Sequence, residues 1–274
     1  MHRSKTKSNL LNLFVIYILA SILILASLSL FASDKEKEQR WAEQITDSLL
    51  DGEAITLKAG NDEFSAIFTE STAANNERAV ILLHGMGAHP DWPEVIHPLR
   101  VGLPEHHWST LSIQLPVLGN EATITDYGLL FKEAGPRIQA ATEYLRSLGS
   151  KTIVLVSHSL GAAMATHYLA TTRNEQIKGI VAIGISDIKI DPDVDIVKSI
   201  ATIHQPYLDL YGSRDLDAVS RSASARKKAS LKAGNKHYQQ KKVAGADHFF
   251  LGHNTTLVRL VYGWLKRHHG PKKH

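Results

Sequence analysis

The segment 150–170 confines the fold more tightly than any other part of the chain. Thr152 to Val156 is a run of β-branched and aliphatic residues that reads as a buried strand. It stops at Ser157-His158-Ser159-Leu160-Gly161, and the small residues Ala162 to Ala165 then open a helical pattern. Strand, tight turn and helix within so few residues bring two backbones together, so the positions flanking the turn must be small. Gly161 meets that demand, and Ser157 stands where glycine is the usual choice. Ser159 at the centre would project its hydroxyl above the strand end, the setting of a nucleophile. The plainer alternative is a buried serine that caps the helix.

The same alternation runs along the rest of the chain. Arg78–His84, Trp108–Leu115, Gly179–Ile185, Tyr207–Tyr211 and Tyr238–Val243 read as strands. Helical patterns fall within 126–148, with Ile138, Ala141, Leu145 and Leu148 on one face, and over 160–172, 193–203, 217–233 and 255–269. Ahead of them, Glu53–Leu57 and Phe64–Thr69 read as a strand pair turned at Gly60-Asn61-Asp62, and 70–78 as a loop. Strand–helix alternation of this length predicts an α/β domain over 52–274, with a mostly parallel central sheet flanked by helices.

Before that domain, Asp34–Asp51 is charged and helix-permissive, with Trp41, Ile45, Leu49 and Leu50 at helical spacing. It is expected to be a stalk that becomes a docked amphipathic helix. Residues 1–33 have a different character. Arg3, Lys5 and Lys7 precede Leu10–Ala32, a stretch of 23 residues without a charge. Two readings compete, a transmembrane anchor and a cleaved signal peptide. The stretch is longer than the usual apolar core of about 7–15 residues in signal peptides, and cleavage patterns near its end are poor, which favours the anchor. Either way the positive flank keeps the N-terminus cytoplasmic and predicts an exported domain; in a bacterium that domain would face the periplasm from the inner membrane or be secreted into it. Outside that flank, 28 basic residues face 27 acidic ones, which is no footprint for nucleic acid. The absence of cysteine removes disulfides, thiolate metal sites and a cysteine nucleophile.

Sites in parallel sheets form at the C-terminal ends of strands. The reactive side chains just after strands are His84, Ser159, Asp187, Asp215 and His248. A serine hydroxyl needs a neighbouring base oriented by a carboxylate. The order Ser159, Asp215, His248 supplies nucleophile, acid and base. Asp187 and Asp217 remain alternative acids and His253 an alternative base, while Asp247 reads as a turn former.

Taken together, Leu-His-Gly-Met-Gly-Ala-His-Pro-Asp-Trp-Pro from Leu83, Ser-His-Ser-Leu-Gly from Ser157 and Gly-Ala-Asp-His-Phe-Phe from Gly245 carry a resemblance. Over roughly residues 50–269 the chain resembles the α/β-hydrolase superfamily, and within it the bacterial DUF3530 family of unknown function. The resemblance implies the α/β-hydrolase fold, serine-dependent hydrolysis and no particular substrate. It implies that His84-Gly85 shapes an oxyanion loop whose Met86 N–H works with the Leu160 N–H. His84 would then be structural.

No cofactor is expected. His84, His89, His97, His106 and His107 with Asp91, Glu94 and Glu105 fit no metal-binding spacing. The basic run Arg221, Arg226, Lys227, Lys228, Lys232, Lys236, Lys241 and Lys242 reads as a solvated face. With Lys266, Arg267, Lys272 and Lys273 it could make weak contact with anionic lipid or anionic envelope polymers. The interval 186–206 is short for a lid, which points to an open site and a soluble or short-acyl substrate, with 116–135 as a partial cover. The expected activity is cleavage of a carboxylic ester, or a thioester, in a small-molecule or acylated substrate. A binding scaffold of the same fold and a triad-dependent acyltransferase are the alternatives. A scaffold has no physical need for Ser, Asp and His at three separate strand ends.

Overall fold

The computed structural model describes residues 33–73, 77–187 and 189–270. The expected anchor or signal segment over 10–32, and Lys272 and Lys273, lie outside the described residues. Met1–Ser33 and Asp34–His274 separate as two units, and the second is the one described here. No helix among the described residues is long and apolar enough to cross a membrane.

The elements in order are α1 (Lys35–Ser48), β1 (Glu53–Ala59), β2 (Asp62–Thr69), β3 (Arg78–Leu83), α2 (Ile96–Gly102), β4 (Ser109–Ile113) and α3 (Phe131–Ser147). They continue with β5 (Thr152–His158), α4 (Leu160–Thr172), β6 (Ile177–Ile183), α5 (Ile196–Thr202) and β7 (Tyr207–Arg214). The last are α6 (Asp217–Lys232), β8 (Tyr238–Asp247) and α7 (Asn254–His269). The sheet order is β1-β2-β4-β3-β5-β6-β7-β8, antiparallel only where β2 meets β1 and β4.

The uninterrupted apolar runs in the inner strands follow from burial on both faces. Ile81, Leu83, Ile153, Leu155 and Ile180 join the core beneath α3, α4 and α5. Their alternates Val80, Leu82, Val154, Val156 and Val181 join the core beneath α2 and α7, with Leu99, Leu257, Val261 and Trp264. Helix α4 lies under other elements along most of its length, so it carries no polar face.

Several boundaries differ from expectation. Helix α1 stops at Ser48, so Ile45 is buried while Leu50 stands in solvent beyond its end. Its first turn is capped by Asp34, which accepts from Lys37 N–H at 2.9 Å. The fourth strand is shorter than Trp108–Leu115, and β8 continues to Asp247, with an irregular register between Gly212 and Arg214. Helix α2 and the single 3-10 turns Pro104–His106 and Asp126–Leu130 were not apparent from the pattern.

The basic run needs one correction. Lys227, Lys228, Lys232, Lys241 and Lys242 are exposed, but Arg226 is fully buried. Its Nε donates to Asp209 Oδ2 at 2.8 Å and its Nη2 to Oδ1 at 3.1 Å. Tyr238 and Gln240 also donate to that carboxylate, at 2.7 and 2.9 Å. The buried charges are thus paired and their remaining polar sites filled, joining α6 to β7 and β8. Arg226→Ala would strand the Asp209 carboxylate inside the protein. It should lower the unfolding free energy by about 3–5 kcal/mol, measured by urea denaturation. A loss under about 1 kcal/mol would mean that the neighbours alone satisfy Asp209.

Candidate active site

Strand β5 ends at His158 and α4 starts at Leu160, leaving Ser159 alone to make the turn. It does so at φ 52° and ψ −119°, a strained conformation for a residue with a Cβ. Its N–H donates to Ile183 O on β6 at 2.8 Å. A Cβ on Gly161 would lie 2.2 Å from the His84 carbonyl oxygen, so only glycine fits there. Ser157 is accommodated for a different reason. It still belongs to β5, and its hydroxyl donates to Val181 O at 3.0 Å.

His248 follows β8 in the loop before α7. Asp247 shapes that loop by accepting from the N–H groups of Phe249 and Leu251, both at 3.1 Å. His248 Nε2 lies 2.9 Å from Ser159 Oγ, and its Nδ1 lies 2.6 Å from Asp215 Oδ1. Asp215 also accepts from Leu216 N–H at 2.8 Å and, through Oδ2, from Gly212 N–H at 3.0 Å. Burial alone would raise its pKa. The His248 hydrogen bond and these two amides outweigh burial and hold the carboxyl below its usual range. Nδ1 is therefore assigned the proton, donated to Asp215, and Nε2 is free to accept from Ser159 Oγ. The other candidates stand apart from this chain. Asp187 is exposed, Asp217 pairs with Arg221 on the surface of α6, and His253 sits at the start of α7.

Two further residues hold the imidazole, and neither was singled out from the sequence. His158 donates from Nε2 to the His248 backbone oxygen at 3.0 Å, with the two rings 4.8 Å apart. Gly184, at φ 63° just after β6, leaves the space in which the ring sits. A Cβ there would be 2.9 Å from His248 Cε1 and Nδ1. Its signal in the sequence was a glycine closing an apolar strand at the same sheet edge.

His84 organises the loop after β3. Its Nε2 faces Leu115 N–H at 2.9 Å and Gln114 Nε2 at 3.0 Å, and so acts as acceptor. Its Nδ1 then carries the proton and donates to Gly85 O at 2.8 Å. Burial pushes the His84 pKa down to about 3. Burial, reinforced by the nearby His248, pushes that of His158 down to about 4. Both rings are neutral at physiological pH and serve as fixed dipoles. A Cβ on Gly85 would be 3.3 Å from Ser159 Cβ, so the loop lies against the serine. Met86 follows Gly85 in that loop, and the Leu160 N–H, as the first amide of α4, has no acceptor within the helix. Two amides beside a serine hydroxyl can receive the negative charge that develops on a carbonyl under attack.

The remaining histidines have other surroundings. His97 and Arg100 both bond Asp91, His89 lies between Trp41 and Trp92, and His106 stacks on Tyr262 at 4.1 Å. No group of three or more His, Asp or Glu among the described residues could hold a metal ion. Over the sheet edge, the segments after β4 and β6 meet where Gly128 packs against Ile190 O and Asp191.

The family described as "Protein of unknown function (DUF3530)" matches the chain over residues 24–128 and 131–267. Among curated proteins, none matches it. Solved structures similar to it include Est1E of Butyrivibrio proteoclasticus, at 14% identity and TM-score 0.64, covering 80% of this chain and 99% of that one. An esterase of Pyrococcus furiosus is 15% identical at TM-score 0.65, covering 81% and 93% of the two chains. A dienelactone hydrolase of Anabaena variabilis is 20% identical at TM-score 0.63, covering 80% and 98%. Likeness at this level establishes the fold, which is that of the α/β hydrolases.

Two outcomes follow from this geometry. Gly184→Ala pushes a methyl into the His248 ring and should reduce turnover about 100-fold while the protein stays folded, with unchanged circular dichroism. Retained turnover would show that the ring moves aside without consequence. The second concerns acid. His84 and His158 take up protons near pH 6.5 when unfolded, but only near 3 and 4 when folded. Their stabilising contribution is complete above pH 6.5 and is lost as pH falls towards 4, by up to about 1.4 kcal/mol per pH unit for each. In denaturant titrations at pH 6.5 and 5, His158→Gln should remove about half of that combined slope. An unchanged slope would assign the acid sensitivity to other groups.

Proposed function

The chain belongs to the DUF3530 family, and on that premise we propose that it is a serine hydrolase that cleaves carboxylic esters through an acyl-enzyme on Ser159. The observation that carries the reading is the hydrogen-bonded chain from Ser159 through His248 to Asp215, assembled from the ends of β5, β8 and β7. His248 Nε2 accepts the Ser159 proton as Oγ attacks the carbonyl carbon, and returns it to the departing alkoxide. Asp215 keeps the opposite proton on Nδ1 and stabilises the imidazolium that forms. The Met86 and Leu160 amides hold the oxyanion. Water, deprotonated by the same imidazole, then attacks the acyl carbonyl and frees Ser159.

Ester is favoured over amide because an alkoxide is a far better leaving group than an amide nitrogen, and a thioester would be cleaved by the same steps. The esterases and the dienelactone hydrolase of like fold support this choice by their names alone. The apolar stretch 10–32 behind a basic flank supports a site outside the cytoplasm, held at the membrane.

The full chain in detergent should react with a fluorophosphonate probe, whereas Ser159→Ala should not. On a p-nitrophenyl ester, Ser159→Ala and His248→Ala should each lower kcat about 10⁶-fold and Asp215→Asn about 10⁴-fold. A folded parent protein inert to both reagents would contradict the reading. So would a Ser159→Ala variant that still labels.

A further inference from the structure

We propose that the sheet edge carrying Ser159 lies against a phospholipid bilayer and that the site acts on esters presented at that surface. The chemistry in this inference rests on the reading of Ser159 above, and the orientation stands apart from it.

Large apolar side chains stand in solvent on the loops of the sheet edge that carries Ser159. Met86 follows β3, Leu216 follows β7, and Phe249 and Leu251 follow β8; they are 46%, 53%, 43% and 56% exposed. Those loops converge on one edge because β3, β5, β7 and β8 all run the same way. The Phe249 ring lies 5.2 Å from that of His248. Leu129, on the connection from β4 to α3, is also exposed at this edge. Apolar groups on separate loops around one reactive centre are costly in water and mark a contact with something apolar. Leu50, Leu148 and Leu231, the other exposed large apolar residues among those described, lie towards the opposite edge, the first two on connections and Leu231 in the last turn of α6.

The chain itself says what that apolar partner is. Asp34 N–H donates to Val117 O at 2.7 Å, and Lys37 Nζ reaches Leu118 O at 3.0 Å and Asn120 Oδ1 at 2.7 Å. Val117 and Leu118 follow β4, so the chain enters the domain at the edge where Ser159 sits. Only Ser33 separates Asp34 from Ala32, where the apolar stretch of the sequence ends. Two residues reach about 7 Å. A chain anchored through 10–32 would therefore hold this edge, and not the opposite one, close to the bilayer. Lys227, Lys228 and Lys232 lie in the later half of α6, towards the opposite edge, so these cations take no part in the contact. The short 186–206 interval on its own points to a soluble or short-acyl substrate, and it leaves the site open. At a bilayer surface an open site also admits a substrate that stays in the membrane while its ester bond is cut.

The chain contains no cysteine, so single cysteines introduced into the full chain take a polarity-sensitive fluorophore at one place each. In phosphatidylethanolamine–phosphatidylglycerol vesicles with brominated acyl chains, the label at Leu251→Cys should be quenched at least threefold more than at Leu148→Cys or Leu231→Cys. Added salt should leave the difference unchanged. Equal quenching at all three positions, or quenching at Leu148→Cys alone, would overturn the orientation. In the same vesicles, the double variant Leu216→Ser/Leu251→Ser should lower the turnover of a bilayer-dispersed long-chain ester about tenfold relative to an aqueous short-chain ester. An unchanged ratio would overturn the surface role. The two readings fail separately. Quenching at Leu251→Cys with no serine labelling would remove the hydrolase and keep the orientation. Short-chain turnover with uniform quenching would do the reverse.

Discussion

The site depends on a backbone contact, the approach of Gly161 to the His84 carbonyl. Because α4 starts within one residue of β5, its first turn must press on the loop that leaves the adjacent strand β3. That contact sets the distance between the serine and the loop carrying Gly85 and Met86. It leaves Ser159 the only residue able to absorb the change of direction, at a positive φ. The strain is held from the neighbouring strand β6, with Ile183 O accepting from Ser159 N–H and Ser157 Oγ anchored on Val181 O. Strand order then does the rest. With β5 between β3 and β6, the serine has the oxyanion loop on one side and Gly184 on the other. His248 reaches in over Gly184 from the far edge of the sheet.

Three imidazoles lie close together here, and their burial keeps them from interfering with one another. His84 and His158 are each held neutral because the cost of charging them away from water outweighs everything that favours the charged form, including the pull of Asp215 on His158. His248 alone faces a carboxylate, and that carboxylate is itself held ionised by two backbone amides. The charge that His248 gains when it takes the serine proton therefore has a partner already in position. A charge on His158 would oppose it at a ring separation of 4.8 Å. The structural histidines thus keep a single basic group at the serine.

What was legible in the sequence was whatever depends on neighbours along the chain. The strands show as apolar runs, the turn at Ser159 as small residues between a strand and a helix, and the candidate acid and base as polar residues just past strand ends. The family resemblance supplied the expectation for the β3 loop. What depended on distant residues was not legible. Arg226 sits in a basic helix whose spacing says nothing of Asp209 on β7, so a buried ion pair looked like one more solvated cation. Gly184 reads as a strand terminus until His248 is placed above it. Helix α2 escaped notice because it is short, contains Pro98, and starts from Val95 at φ 63°. Its support comes from packing on β3, β4 and α7, which no local pattern reports.

The helix before the sheet shows how far the site's framework extends. Arg137 on α3 is fully buried and donates to Glu38 Oε2 on α1 at 2.9 Å, to Asp62 Oδ2 at 3.0 Å and to Gln114 O at 2.9 Å. Glu38 in turn accepts from Val117 N–H, and the Gln114 side chain touches His84 Nε2. A continuous polar path therefore runs from the first turns of α1 through Arg137 and Gln114 to the histidine that shapes the loop beside Ser159. Removing α1 would leave Arg137 inside the protein with one partly exposed carboxylate in place of two, and an unpaired buried charge is more damaging than a missing contact. Residues 34–48 consequently do more than connect the domain to what precedes it. They supply the buried one of the two carboxylates that balance Arg137, at the same edge of the sheet where the serine is held.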